Sequence, residues 1–136
     1  MRERVFMDSS FWILLRDDKE PEHDRIVDVT RRLLGNRDQL VVTELVLAET
    51  HAYFCRSPLR SRQILDDFEN NRAIHCEPTG PSDRQEAFQL LRRHRDKTWS
   101  FCDAISFAVM RRLGIRKAVA ADHHFRQIGE FEVIGY

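Results

Sequence analysis

Apolar residues along this 136-residue chain fall into short dense runs separated by longer stretches with helical spacing. The runs Arg4–Asp8 (RVFMD), Gln39–Thr43 (QLVVT), Arg72–Pro78 (RAIHCEP) and Arg116–Asp122 (RKAVAAD) read as strands, and Phe131–Tyr136 (FEVIGY) offers a fifth. Ser9–Asp18 predicts a turn or two of helix. Pro21–Asn36 predicts a full one: Pro near the start, acids early, Arg31 and Arg32 late, and a Gly35-Asn36 stop. Its apolar positions Ile26, Val29 and Leu33 share one face. Further helices are predicted after Thr43 to about Cys55, over Ser57–Asn70 with Leu59, Ile64, Leu65 and Phe68, over Pro81–Asp96, and over Ser100–Gly114 with a glycine stop. Strands alternating with helices predict an α/β domain with a central, mainly parallel sheet of about five strands flanked by helices. The strands are short, apolar and β-branched, as expected when both sheet faces are covered. The length fits one domain, residues 1–136, and no repeat or linker divides it.

The stretch Val41–Phe54 (VVTELVLAETHAYF) poses a problem. On a helix, Leu45, Ala48, Ala52 and Tyr53 form an apolar stripe, and Glu49 falls within it. A carboxylate on a core-facing position needs a partner, because burying an unpaired charge costs several kcal/mol or forces protonation.

Three other acids sit where a partner would be shared. Asp8 and Asp122 each close a predicted strand, and ligands of parallel sheets bind at the carboxyl ends of strands. Asp103 lies at the start of the Ser100 helix. Four converging carboxylates repel one another unless a divalent cation neutralises them, and an all-oxygen set suits Mg²⁺ or Mn²⁺. Each acid also has a plainer role. Asp8 and Asp122 fit helix N-caps, Asp103 completes an S-x-x-D capping pattern with Ser100, and Glu49 can pair with a buried arginine. Glu44 and Asp96 read as solvated.

Composition narrows the alternatives. With 22 basic and 22 acidic residues the net charge is zero, which argues against a nonspecific polyanion binder. All the basic residues except Lys19, Lys97 and Lys117 are arginine, a bias that suits phosphate contacts or reflects a GC-rich coding sequence. No Gly-rich dinucleotide or phosphate loop and no GxSxG elbow is present. Cys55, Cys76 and Cys102 form no CxxC or zinc spacing and are expected as reduced thiols. No apolar run is long enough to span a bilayer and no signal peptide follows the first residues, so a cytoplasmic protein is expected. His123 and His124 read as solvated loop residues. Phe6, Phe11, Trp12 and Trp99 read as core.

The blocks VFMDSSFW with Asp8, VVTELVLAET with Glu49, WSFCDAISFAVMRRLGI with Asp103 and AVAADHHF with Asp122 resemble the PIN-domain family, more narrowly the VapC toxins of toxin–antitoxin pairs. Their order covers nearly the whole chain. The resemblance implies a parallel five-stranded sheet and a Mg²⁺ or Mn²⁺ site on Asp8, Glu49, Asp103 and Asp122. Ser100 matches a hydroxyl usual in the family. It also implies endoribonuclease activity on RNA, a cognate antitoxin that blocks the site, and a homodimer. Tyr53, Phe54, Leu59 and Phe68 offer either a self-complementary patch or internal core. Many members carry Ser or Thr directly before the third acid. Here Cys102 stands there, and a thiol is a weak hydrogen-bond partner. The rival expectations are a non-catalytic PIN-like module that binds RNA or protein, and a metal-dependent DNA nuclease or phosphatase built on the same acids.

Overall fold

The structure is a computed structural model that describes residues 2–134. Five strands, β1 (Arg4–Met7), β2 (Gln39–Val42), β3 (Ile74–Cys76), β4 (Lys117–Val119) and β5 (Glu132–Ile134), form one sheet in the order β3-β2-β1-β4-β5. Every pairing is parallel, with Phe6 opposite both Val41 and Ala118. The parallel five-stranded sheet expected from the sequence is present. The last two residues of the proposed fifth strand, Gly135 and Tyr136, lie outside the described residues.

The strand order sets the site. The chain steps from β1 to β2 to β3 on one side, then returns across the sheet to place β4 on the other flank of β1. The order therefore reverses between β1 and β4, and the carboxyl ends of those two strands frame a crevice. Asp8 N extends the ladder by donating to Val119 O at 3.0 Å. Beyond Val119 the strand predicted to reach Asp122 stops. Ala120 N still donates to Ile134 O at 3.4 Å, but Ala121 N donates at 2.9 Å to the Ser10 hydroxyl, so the chain leaves the sheet at Ala121.

Helices α1 (Ser9–Arg16), α2 (His23–Gly35), α3 (Glu44–Phe54), α4 (Pro58–Asn70), α5 (Pro81–Arg93), α6 (Phe101–Leu113) and α7 (His124–Gln127) cover the sheet. Their starts follow local chemistry. Thr43, Ser57 and Ser100 accept hydrogen bonds from the first-turn amides of α3, α4 and α6. Gly114 ends α6 at φ 68°, a conformation that costs glycine little. Helix α2 buries Ile26, Val29 and Leu33 as its spacing predicts.

Helix α6 is enclosed along its middle, with residues 102–110 all buried. Phe107 anchors it, packing on Phe125 at 4.9 Å and on Trp99 at 5.2 Å between ring centroids. Phe6, Phe11, Trp12 and Trp99 are core residues, as read from the sequence.

Helix α3 departs from its predicted face. The buried line is Val46, Thr50 and Phe54, while Ala48, Ala52 and Tyr53 are exposed. Apolar residues surround this helix, and it packs on α1, α4 and α6 at once, so no single stripe marks its buried side. Of the proposed patch residues, Tyr53 and Leu59 are exposed, Phe54 is buried, and Phe68 packs on Trp12 at 5.0 Å. Among the described residues no helix is long and apolar enough to cross a membrane.

Candidate active site

The crevice between β1 and β4 collects the predicted acids from four separate elements. Asp8 follows β1 and caps α1: its Oδ2 accepts from Ser10 N at 3.2 Å and Ser10 Oγ at 2.6 Å. Its other oxygen, Oδ1, is buried and has no hydrogen-bond partner. The residue is only 1 % exposed. Burial pushes its carboxyl up to about 7, against the pull of the Ser10 hydroxyl and with help from the charges of Asp122 and Asp103.

Asp103 is buried in the first turn of α6. It forms a reciprocal cap with Ser100, each backbone N–H donating to the other's side chain at 3.0 Å. The plain capping role is therefore present, and it leaves Oδ1 uncommitted to the cap. Burial raises its carboxyl above the usual range. The Ser100 amide and His124 oppose that shift, and Asp122 and Glu49 add to it. Asp122 stands just before α7, where its Oδ1 accepts from His124 N at 3.1 Å.

Glu49 requires a correction. It does not face the core. It is exposed at the rim of the crevice, and Ser9 Oγ donates to its Oε1. The burial problem posed by the sequence belongs to Asp8 and Asp103. Glu49 meets the site through Ser9, the first residue of α1.

Two serines and a histidine complete the picture. Ser9 tethers Glu49, and Ser10 bridges Asp8 to Ala121. The Ser-Ser pair directly after a strand-closing Asp was the available signal. His124 was read as solvated, yet its Nδ1 lies 2.8 Å from Asp103 Oδ2 and 3.7 Å from Asp122 Oδ2. Its place two residues after Asp122, at the start of α7, brings it there. His123 is exposed as expected.

Cys102 is buried beneath the acids. Burial and the charges of Glu49, Asp8 and Asp103 push its thiol upward, so it stays protonated at neutral pH and is no nucleophile.

Among the described residues no group of three or more His, Cys, Asp or Glu side chains is gathered closely enough to hold a metal ion. The crevice brings the acids into mutual electrostatic reach without closing a cage. Its chemistry nonetheless fits a hard divalent cation: oxygen donors, mutual repulsion, and a buried carboxylate oxygen on Asp8 that nothing satisfies.

Residues 5–131 match the PIN domain family. This chain belongs to that family. It is a VapC-like PIN domain, 31% identical over 131 residues to the 23S rRNA-specific endonuclease VapC20 of Mycobacterium tuberculosis, covering 95% of this chain and 97% of the relative. The crystal structure of M. tuberculosis VapC20, described as a sarcin–ricin loop cleaving toxin, superposes with a TM-score of 0.82 at 29% identity, over 95% and 98% of the two chains. VapBC2 of Rickettsia felis, bound to a fragment of promoter DNA, shares the fold at a TM-score of 0.68 and 12% identity, over 96% of each chain.

Proposed function

We propose that this PIN domain is a divalent-metal-dependent endoribonuclease of the VapC type and the toxin of a toxin–antitoxin pair. The observation that carries the reading is Asp8. A buried carboxylate with an unsatisfied oxygen, facing two further acids, is an arrangement that folding alone does not favour and that a cation would stabilise. The VapC20 relative supplies the substrate class: ribosomal RNA, with the sarcin–ricin loop as the first target to test.

Asp8, Glu49, Asp103 and Asp122 would hold one or two Mg²⁺ or Mn²⁺ ions. When bound, the metal supplies Lewis acidity to a phosphodiester and to the attacking water. The chain supplies orientation. Ser10 fixes the Asp8 carboxylate, Ser100 fixes Asp103, and Ser9 draws Glu49 inward from the rim. Exposed loops of a structured RNA present unstacked nucleotides to such an open crevice.

The cognate antitoxin would block the crevice with an arginine or lysine, whose charge substitutes for the metal. The exposed Tyr53, Leu59 and Leu65 on α3 and α4 support a homodimer through a self-complementary face. Cytoplasmic action follows from the ribosomal target.

The test is cleavage of a sarcin–ricin hairpin RNA and of the matching DNA, with Mg²⁺, with Mn²⁺ and with EDTA. RNA cleavage that needs metal and fails in Asp8→Asn is expected. RNA binding without cleavage would favour the non-catalytic module. Equal cutting of DNA would favour a general nuclease. Undiminished cleavage in EDTA would remove the metal from the reading.

A further inference from the structure

His124 lies inside the acid cluster in an unusual way. Its Nδ1 is 2.8 Å from Asp103 Oδ2 and 3.7 Å from Asp122 Oδ2, yet this buried atom makes no bond of hydrogen-bonding geometry. The backbone beneath it is fixed, since His124 N donates to Asp122 Oδ1. The ring also has a second partner within reach: Nε2 is 3.5 Å from Thr98 Oγ1, on the loop that enters α6. The imidazole Nδ1 thus lies against one carboxylate of the proposed metal set and close to a second.

We propose that the His124 ring competes with a divalent cation for the space beside Asp103 and Asp122 and thereby sets the metal affinity of the site. The inference rests on the metal-dependent reading above. A Mg²⁺ ion holds its oxygen ligands at about 2.0–2.1 Å, and a ring lying against one of them and close to a second prevents that approach. Metal entry therefore requires the ring to turn away from the two acids and to give up its contact with Thr98 Oγ1. Apparent affinity is then the intrinsic affinity reduced by the fraction of molecules in which the ring has already turned away. His124 acts through Asp103 and Asp122 and is a positioning residue. Were it a ligand instead, its removal would have the opposite effect.

The experiment is a titration of Mn²⁺ into the full chain without RNA, followed by the electron paramagnetic resonance of free Mn²⁺. Wild type, His124→Ala and His124→Ser are compared. Both variants are expected to bind Mn²⁺ about tenfold more tightly at unchanged stoichiometry, the gain that follows if about a tenth of wild-type molecules are open. Unchanged affinity in the folded variants overturns the proposal, and weaker affinity overturns it by making His124 a ligand. A second measurement needs no variant. In wild type with ¹⁵N-labelled histidines, the His124 ring resonances are expected to move in step with Mg²⁺ occupancy, and resonances unmoved at saturation overturn the proposal. A wild-type chain that takes up no metal and cuts no RNA overturns the nuclease reading itself. A wild type that binds metal and cuts RNA, with variants that bind no tighter, overturns only the role of His124.

Discussion

The Ser10 hydroxyl joins the two halves of the crevice: it donates to Asp8 Oδ2 at 2.6 Å and accepts from Ala121 N at 2.9 Å. One side chain thus orients the buried acid after β1 and ends the strand that leads to Asp122. Ser10→Ala is expected to lower Mn²⁺ affinity or RNA cleavage by about 10–100-fold, the usual cost of losing a group that orients a metal ligand. It should also destabilise the fold by about 1–3 kcal/mol, because the Ala121 amide loses its partner. Urea unfolding and a metal titration on the same sample separate the two effects. Lost stability with full metal affinity would confine Ser10 to a structural role.

Asp8 makes the metal-free protein depend on pH in a defined direction. The unfolded carboxyl ionises near 3.8 and the folded one near 7, so the native state holds an extra proton between those values. The contribution of this residue to stability is full below about pH 4, is lost as pH rises towards 7, and is flat above. The whole change is at most about 4 kcal/mol at 1.36 kcal/mol per pH unit. In EDTA, Asp8→Asn should be more stable than wild type at pH 8 and should flatten this slope. Urea unfolding at pH 5 and pH 8 measures it, and an identical slope in the variant would contradict the burial argument.

Glu49 should behave differently, because it is exposed. Glu49→Gln is expected to change stability by no more than about 0.5 kcal/mol at either pH, as surface substitutions usually do. It should still weaken Mn²⁺ binding, since Ser9 holds the carboxylate toward the crevice. A stability change as large as that of Asp8→Asn would show that Glu49 turns inward in solution.

Most of the fold was legible because its boundaries are written in local chemistry. Thr43, Ser57, Ser100 and Gly114 mark helix ends through hydrogen bonds or backbone geometry that involve only near neighbours. The apolar strands show that both sheet faces are covered. What was not legible depends on contacts between distant segments. The buried face of α3 follows from packing on three helices, and Thr50 replaces an apolar residue in its buried line. The early end of β4 depends on a hydroxyl more than a hundred residues away. His124 looks like any loop histidine until the N-terminus of α6 is placed beside it. The four acids were visible through their positions at strand and helix ends, but their unequal burial was not.

The helix that carries Asp103 is tied at its other end by Arg112 and Asp83. Asp83, at the start of α5, is 3 % exposed. Its two oxygens receive Arg112 Nε at 2.9 Å and Nη2 at 3.1 Å, and Gly80 N adds a third bond at 3.1 Å. Arg112 extends the tie to Glu77 and to the carbonyl of Pro78. Removing the arginine leaves a buried carboxylate with one backbone donor. Breaking a fully buried pair costs about 3–5 kcal/mol. The Arg112 side chain is 37 % exposed, and water can reach part of the gap, so Arg112→Ala is expected to cost about 2–3 kcal/mol. Arg112→Lys should recover little, because an ammonium cannot serve both oxygens of Asp83 and the Pro78 carbonyl with one planar fork. Asp83→Asn combined with Arg112→Ala should cost less than the sum of the single changes, since the stranded charge is gone. Urea unfolding of the four proteins tests this cycle. Metal affinity per folded molecule should be retained throughout, because the pair touches none of the proposed metal residues. An Arg112→Ala protein within about 0.5 kcal/mol of wild type would show that Asp83 is solvated in its absence.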